Sequence, residues 1–260
     1  MKSTEINEHQ IVNHLKIHKS ISVADAIRIT DSSESTVRRV FRRLEETGDY
    51  LRYYGGIRLA SEGGADNDYY YENTENRHVD AKLKIATLAL SLVQNEDEIY
   101  LDSGTTLARF AAKLADALDK KELRGVRIFT NSLVNLNLLK RHDVTLIGGK
   151  FRDLRKDFHG YTAEEALKSL HFKKCFLGAD AYSSQSGFTT TDFSTARLNE
   201  LVLERSEEKY VLMASSKFFL CSTVSYSRRV KPDKILTEAL PDPTYPETAD
   251  LKIEILACDK

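Results

Sequence analysis

The 260 residues contain no run long and apolar enough to cross a bilayer, little cysteine and no metal-ligand spacing, and each shortage removes a class of function. The longest uncharged apolar-rich stretch, residues 85–93, falls far short of the ~20 residues a transmembrane helix needs. The first ten residues are polar and lack the apolar core of an export signal, so a cytoplasmic protein with no membrane partner is expected. Cys175, Cys221 and Cys258 are odd in number, widely spaced and form no CxxC pair. They read as free thiols in a reducing compartment, most simply as small core residues. Seven scattered histidines show no ligand pattern, and neither a metal nor a cofactor is expected. Repeats and low-complexity segments are absent too.

A net charge of −1 argues against a general polyanion binder, but its distribution is uneven. Residues 1–60 balance to +2 and the remainder to −3, and Arg38, Arg39, Arg42 and Arg43 fall within six residues. A small basic patch on a near-neutral chain fits local phosphate contact.

Hydrophobic periodicity then divides the chain. Ile11, Val12 and Leu15 form one helical stripe, and Val23, Ala26 and Ile27 a second, with Ser22 placed to cap it. A third helix starts at Ser33 or Glu34, carries Val37, Phe41 and Leu44 on one face, and ends at Gly48. Residues 50–59, with Gly55 and Gly56 in the middle, read as two short strands around a turn. Residues 61–73 lack periodicity and read as a linker, with Tyr69, Tyr70 and Tyr71 candidates to dock on a neighbour. From residue 74 the pattern alternates. Strands are expected at 98–101, 126–129, 144–147, 174–177, 210–214, 234–236 and 253–258. Helices are expected at 80–94, 107–118, 133–141, 163–170 and 196–208. Such alternation predicts a mostly parallel sheet with helices on both faces.

On the third helix the apolar side chains gather on one arc while Ser35, Arg39 and Arg42 lie opposite, flanked by Arg38 and Arg43. Ser33, Ser35, Thr36, Arg38 and Arg39 occupy the N-terminal end that a helix-turn-helix places in the major groove. Arginine suits bidentate contact with guanine, while serine and threonine reach bases or phosphates. Arg42, Arg43 and the hairpin residues Arg52 and Arg58 are better placed for the phosphate backbone. Residues 21–59, with S-E-x-T-V-R-R at 33–39, an L-E-E-x-G helix end and a Gly-Gly hairpin, resemble the DNA-binding domain of DeoR-family bacterial regulators. Val40 stands where that family usually has Asp, and Asp31 and Ser32 where it has Gly and an apolar residue.

In the second part, small polar clusters follow successive strands: residues 102–106, 130–132, 148–149, 178–180 and 215–217. Ligands of an open parallel sheet bind beyond the carboxyl ends of its strands, so these clusters should converge. The Ser-Gly-Thr-Thr turn offers backbone N–H groups and hydroxyls at a helix N-terminus, a cradle suited to phosphate. Lys217 would add a point charge. Taken singly, each is an ordinary helix cap, turn glycine or surface lysine; their recurrence is the signal. This half also resembles the DeoR effector domain through Arg77, K-x-x-I-A at 82–86, L-D-S-G-T-T, T-N-S-L, L-I-G-G, F-L-G-A-D, G-F-T-T-x-D and S-S-K-F.

The resemblance implies a winged helix-turn-helix at 1–60, a linker at 61–73, and at 74–260 an α/β sheet domain related to ribose-phosphate isomerase. It implies a carbohydrate-operon regulator, expected as a repressor, that binds double-stranded operator DNA as a homodimer or homotetramer and answers to a phosphorylated sugar or polyol. Carried over residue by residue, the effector candidates are Asp102, Ser103, Gly104, Thr105, Thr106, Asn131, Ser132, Gly149, Asp180 and Lys217. Three positions depart from the family pattern: Thr195 and Asn199 replace a usual Glu and Lys, and Asp157 a usual Ser. A sugar-phosphate isomerase with a DNA-binding appendage stays open as an alternative, but Thr195 supplies no base at neutral pH, which favours a non-enzyme. An acyl-CoA-type transferase would need a catalytic Glu motif that is missing.

Overall fold

A computed structural model describes residues 3–18, 20–47, 49–53, 56–59, 71–241, 248 and 251–258, without the side chains at 3–6, 16–18, 51–53, 58–59 and 72–73. The chain divides into two compact units, Met1–Asp66 and Asn67–Lys260.

The first unit is built of α1 (Ser3–His18), β1 (Ser20–Ser22), α2 (Val23–Thr30), α3 (Glu34–Glu46), β2 (Tyr50–Tyr53) and β3 (Gly56–Leu59). The three strands pair antiparallel in the order β1-β3-β2. Ile11, Leu15, Ala26, Val37, Val40, Phe41, Leu44 and Ile57 share one core. Removing a side chain of this size from water contributes roughly 1.5–3 kcal/mol, so the core outweighs weak local propensity. Ser22 caps α2 by accepting from the Asp25 N–H at 3.0 Å. Asp31 ends α2 with φ at +48°, a left-handed conformation that explains why glycine would suit the position and why Asp tolerates it. Val40 is fully buried, so the departure there is absorbed by packing. The strand β1, which converts the hairpin into a three-stranded sheet, was not among the expected elements. Gly48 and Gly55 lie outside the described residues.

The second unit begins its described part with α4 (Tyr71–Glu75), which starts inside the stretch 61–73 read as linker and runs past its end. Tyr71 is buried and its N–H donates to the Leu154 carbonyl at 2.9 Å. There follow α5 (Val79–Leu90), β4 (Glu98–Leu101), α6 (Thr105–Asp119), β5 (Arg127–Thr130), α7 (Leu133–Leu139) and β6 (Val144–Leu146). A hairpin, β7 (Lys150–Arg152) and β8 (Asp157–His159), leads into α8 (Tyr161–Lys168) and β9 (Phe172–Gly178). Then come β10 (Ala181–Ser183), β11 (Gly187–Thr190), α9 (Phe193–Glu204), β12 (Ser206–Leu212), β13 (Val224–Ser225), β14 (Lys234–Thr237) and β15 (Glu254–Ala257).

Seven strands form the main sheet in the order β15-β14-β12-β9-β4-β5-β6, every neighbouring pair parallel. One face is covered by α5 and α6 through Ile85, Ala89, Phe110 and Leu114, the other by α8 and α9 through Leu167, Leu201 and Val202. A buried ion pair, Lys174 Nζ to Asp97 Oδ2 at 2.6 Å, joins the start of β9 to the turn before β4. The expected helix 196–208 overshot. It stops at Glu204, and residues 206–208 run into β12, because the ladder with β9 begins at Ser206 opposite Phe172. The hairpin β7–β8 and the small antiparallel sheet β10-β11-β13 were not expected, their strands being only two to four residues long.

Candidate functional site

The first unit presents α3 by its polar face. Ser33 is its N-cap, accepting from the Thr36 N–H at 3.4 Å, with the Ser35 and Thr36 hydroxyls each 3.0 Å from its own. Ser35, Arg38, Arg39, Arg42 and Arg43 are exposed. Their surroundings differ. Arg38 Nε donates to Glu34 Oε1 at 2.7 Å, and Arg43 pairs with Glu8 at 2.9 Å. Arg39 and Arg42 have no acidic partner among the described residues and are exposed. The side chains of Arg52 and Arg58 lie outside the described residues.

In the second unit a cavity of about 260 Å³, at the small end of ligand pockets (~300–1,000 Å³), opens at the carboxyl ends of β4 and β9. Topology puts it there. From β4 the chain builds outward to β5 and β6, then crosses back to β9 and builds the other way. The connections therefore diverge between β4 and β9 and leave a crevice. Asp102, Ser103, Gly104, Thr105, Thr106, Asp180 and Lys217 all line it. Gly104 has φ at +109°, accessible to glycine, and no side chain caps the start of α6, so the positive end of that helix is left for a ligand.

Cations that were not among the candidates complete the lining: Arg77, Lys82 and Arg155, with His78 beside them. Lys82 carried a legible signal. It recurs with Ile85, Ala86 and Ala89 on the buried face of α5, where a lysine needs a reason to be. Its Nζ donates to the Thr74 carbonyl at 2.5 Å. Burial, and then the charges of Lys217 and Arg109, push its pKa down to about 8. Lys217 donates to the Ala179 carbonyl at 2.5 Å, and burial lowers its pKa as well.

The floor is acidic. Asp102 is buried; it accepts from the N–H groups of Ser103 and Gly178 at 2.7 and 3.0 Å and from Asn199 Nδ2 at 3.3 Å. It has no cationic partner among the described residues. Burial raises its pKa to about 6 against the pull of those N–H donors, and the charge of Asp157 adds to the rise. Asp157 is itself fully buried. Ser103 Oγ donates to its Oδ2 at 3.0 Å, and Arg152 holds both its oxygens, Nε and Nη2 each at 2.7 Å. The same guanidinium reaches Asp192 at 2.6 Å and the Thr195 hydroxyl at 3.0 Å. Burial would raise Asp192, but the Thr195 hydroxyl and N–H and the Arg152 charge outweigh it and hold the carboxyl at about 2. The three unusual positions, Asp157, Thr195 and Asn199, thus meet in one network.

Asn131, Ser132 and Gly149 are not among the residues that line this cavity. Asn131 and Ser132 are buried against the unexpected hairpin, while Gly149, which leads into it, is exposed. Asn131 Nδ2 donates to the Phe158 carbonyl at 3.1 Å, Ser132 caps α7 by accepting from Asn135 N–H at 3.2 Å, and a Cβ on Gly149 would lie 2.4 Å from the His159 carbonyl oxygen. Their role is to seat β7–β8 on the sheet.

Comparison with known families matches the DeoR-like helix-turn-helix domain to residues 8–63 and the DeoR C terminal sensor domain to residues 77–239. The chain belongs to the DeoR family. Relatives of this DeoR-family regulator include the transcriptional regulator FruR of Bacillus subtilis, 32% identical over 81% of this chain and 82% of its own. The lactose phosphotransferase system repressor of Lactococcus lactis is 30% identical over 96% and 97%. A putative aga operon transcriptional repressor of Escherichia coli O157:H7 is 31% identical over 83% and 79%. Among solved structures, ribose 5-phosphate isomerase A of Methanocaldococcus jannaschii superposes on 54% of each chain with a TM-score of 0.41 and 22% identity. No helix among the described residues is long and apolar enough to cross a membrane.

Proposed function

We propose that this DeoR-family member represses a carbohydrate-metabolism operon, and that a phosphorylated sugar or polyol in the β4–β9 cavity relieves the repression. Ser35, Thr36 and Arg39 read base edges; Arg38, Arg42, Arg43, Arg52 and Arg58 contact phosphates, with Ser33 holding the helix start. Two or four copies would match paired half-sites about 34–36 Å or a multiple apart. The setting is the cytoplasm.

The observation that carries the effector reading is the convergence of Arg77, Lys82 and Lys217 on a cavity that an uncapped helix end also lines. Cations desolvated together are costly, and a dianionic phosphate offsets that cost while the helix N–H groups and hydroxyls take its oxygens. Asp102 and Asp180 then face the hydroxyl end. Calorimetric titration of matched sugars and sugar phosphates, with gel shifts on DNA upstream of the gene, tests this. Equal affinity for sugar and sugar phosphate would remove the cradle.

The isomerase reading has one observation in its favour: a carboxyl raised to about 6 inside the cavity is suited to act as a base. Its neighbours Asn199 and Thr195 are neutral and supply no partner acid. Turnover of pentose or hexose phosphates by the purified chain would decide for it.

A further inference from the structure

Resting on the reading of the β4–β9 cavity as the effector site, we infer that Arg152, which does not line that cavity, is a positioning residue for it. It acts on one wall through Asp157 and Ser103, and on another through Thr195.

The geometry is that of a brace. Ser103 follows β4 and Thr195 opens α9; both line the cavity, and they are 92 residues apart in sequence. Arg152 stands behind them on β7 and is bound to each side: Nε and Nη2 fork onto Asp157, which accepts the Ser103 hydroxyl, while Nη1 and Nη2 reach Asp192 and Thr195. With a guanidinium N–H donated to each of its two oxygens, the buried Asp157 carboxyl is held in place as the acceptor of the Ser103 hydroxyl. The serine side chain is thereby held in one orientation, and the turn 103–106 with it. On the other side Asp192 caps α9 by accepting from the Thr195 N–H at 2.6 Å, so the same guanidinium sets where that helix begins. Lysine, a single point of charge, cannot hold Asp157 in two bonds and Asp192 in a third.

The two walls must keep their spacing for one phosphate-sized group to touch both, and displacements near 1 Å are costly in such sites. Loss of the fork therefore loosens effector binding while leaving both units folded.

The test uses the full chain with inorganic phosphate, a hexose phosphate and the matching free hexose as probes. Arg152→Lys should weaken binding of the phosphorylated probes about tenfold, with melting temperature and effector-free DNA binding close to wild type. Ser103→Ala should weaken them too, and the double variant should lose less than the product of the two, because both remove one linkage. Asp157→Asn, which drops the charge but keeps an acceptor, supplies the same comparison if Arg152→Lys does not fold. Wild-type affinity in these variants, or strictly multiplicative losses in the double variant, would overturn the inference. Failure of wild type to bind either phosphorylated probe would remove the cavity reading and this inference together.

Discussion

Lys82 and Lys217 line one cavity, and the charge of Lys217 helps hold Lys82 near a pKa of about 8. An anion bound between them raises that pKa, so binding takes up a proton on the alkaline side. Affinity for a phosphorylated ligand, dianionic above about pH 7, should be full between about pH 7 and about pH 8 and should fall as pH rises further, with measurable proton uptake in buffers of different ionisation enthalpy. Lys82→Met should weaken binding and flatten the alkaline limb. A constant affinity between about pH 7 and about pH 9 would show that Lys82 does not meet the ligand.

Asp102 gives a pH effect of opposite origin. Its folded pKa of about 6 lies above the ordinary 3.8, so the folded state binds the proton more tightly. The stability it contributes is complete below 3.8 and lost as pH rises through 6, a change on the order of 3 kcal/mol. Denaturant titrations across that window should show the decline in wild type and lose it in Asp102→Asn. Asp192, held at about 2, titrates below the window and does not obscure it.

Arg39 and Arg38 are sequence neighbours with different freedom, since Glu34 engages only Arg38. Arg39→Ala should cost roughly 1–3 kcal/mol on operator DNA and relax base preference. Arg38→Ala should weaken specific and random DNA alike and lower the salt slope by about one. Equal losses on both DNAs for Arg39 would make it a phosphate contact.

Gly104→Val should abolish the response to effector while operator binding persists. At φ +109° a β-branched residue is strained by roughly 1–3 kcal/mol, and its side chain would crowd the start of α6. A variant that still responds would mean that phosphate does not approach this backbone.

A fragment starting at residue 67 should fold, bind effector and leave operator DNA unshifted. Starting at residue 74 instead removes Tyr71, a buried aromatic whose loss costs about 3–5 kcal/mol, and should lower the melting temperature. Equal melting temperatures would show that Tyr71 anchors nothing.

Long-period signals were legible before the structure. The stripe Val37, Phe41 and Leu44 fixed α3 and its exposed arginines, and residues 98–101 were read as a strand with the bounds they have. Strand-end clusters brought Asp102 to Thr106, Asp180 and Lys217 to one crevice because a parallel sheet gathers carboxyl ends along one edge. What escaped was short or non-local. The strands β7 and β8 have three residues each, too few for alternation to register. Their seating depends on contacts such as Asn131 with Phe158, 27 residues apart. That hairpin is why the cavity lining lacks Asn131, Ser132 and Gly149, and why Arg152 is not legible in the sequence. Lys82 was visible as a charge on an apolar face, but only the cavity shows what it faces.

The Lys174–Asp97 pair lies at the end of the sheet remote from the cavity and has no part in ligand chemistry. Its value is in assembly. β9 sits mid-sheet between β4 and β12, and five of its seven residues are buried. Apolar strands of this kind can slip along one another at little loss of contact. Sliding β9 by two residues would carry the ammonium away from Asp97 and set it opposite Leu101 of β4 and Tyr210 of β12, and a buried charge stripped of its partner costs about 3–5 kcal/mol. A misregistered sheet is penalised once the helices close over it, which favours the register that aligns the two edges of the crevice between β4 and β9.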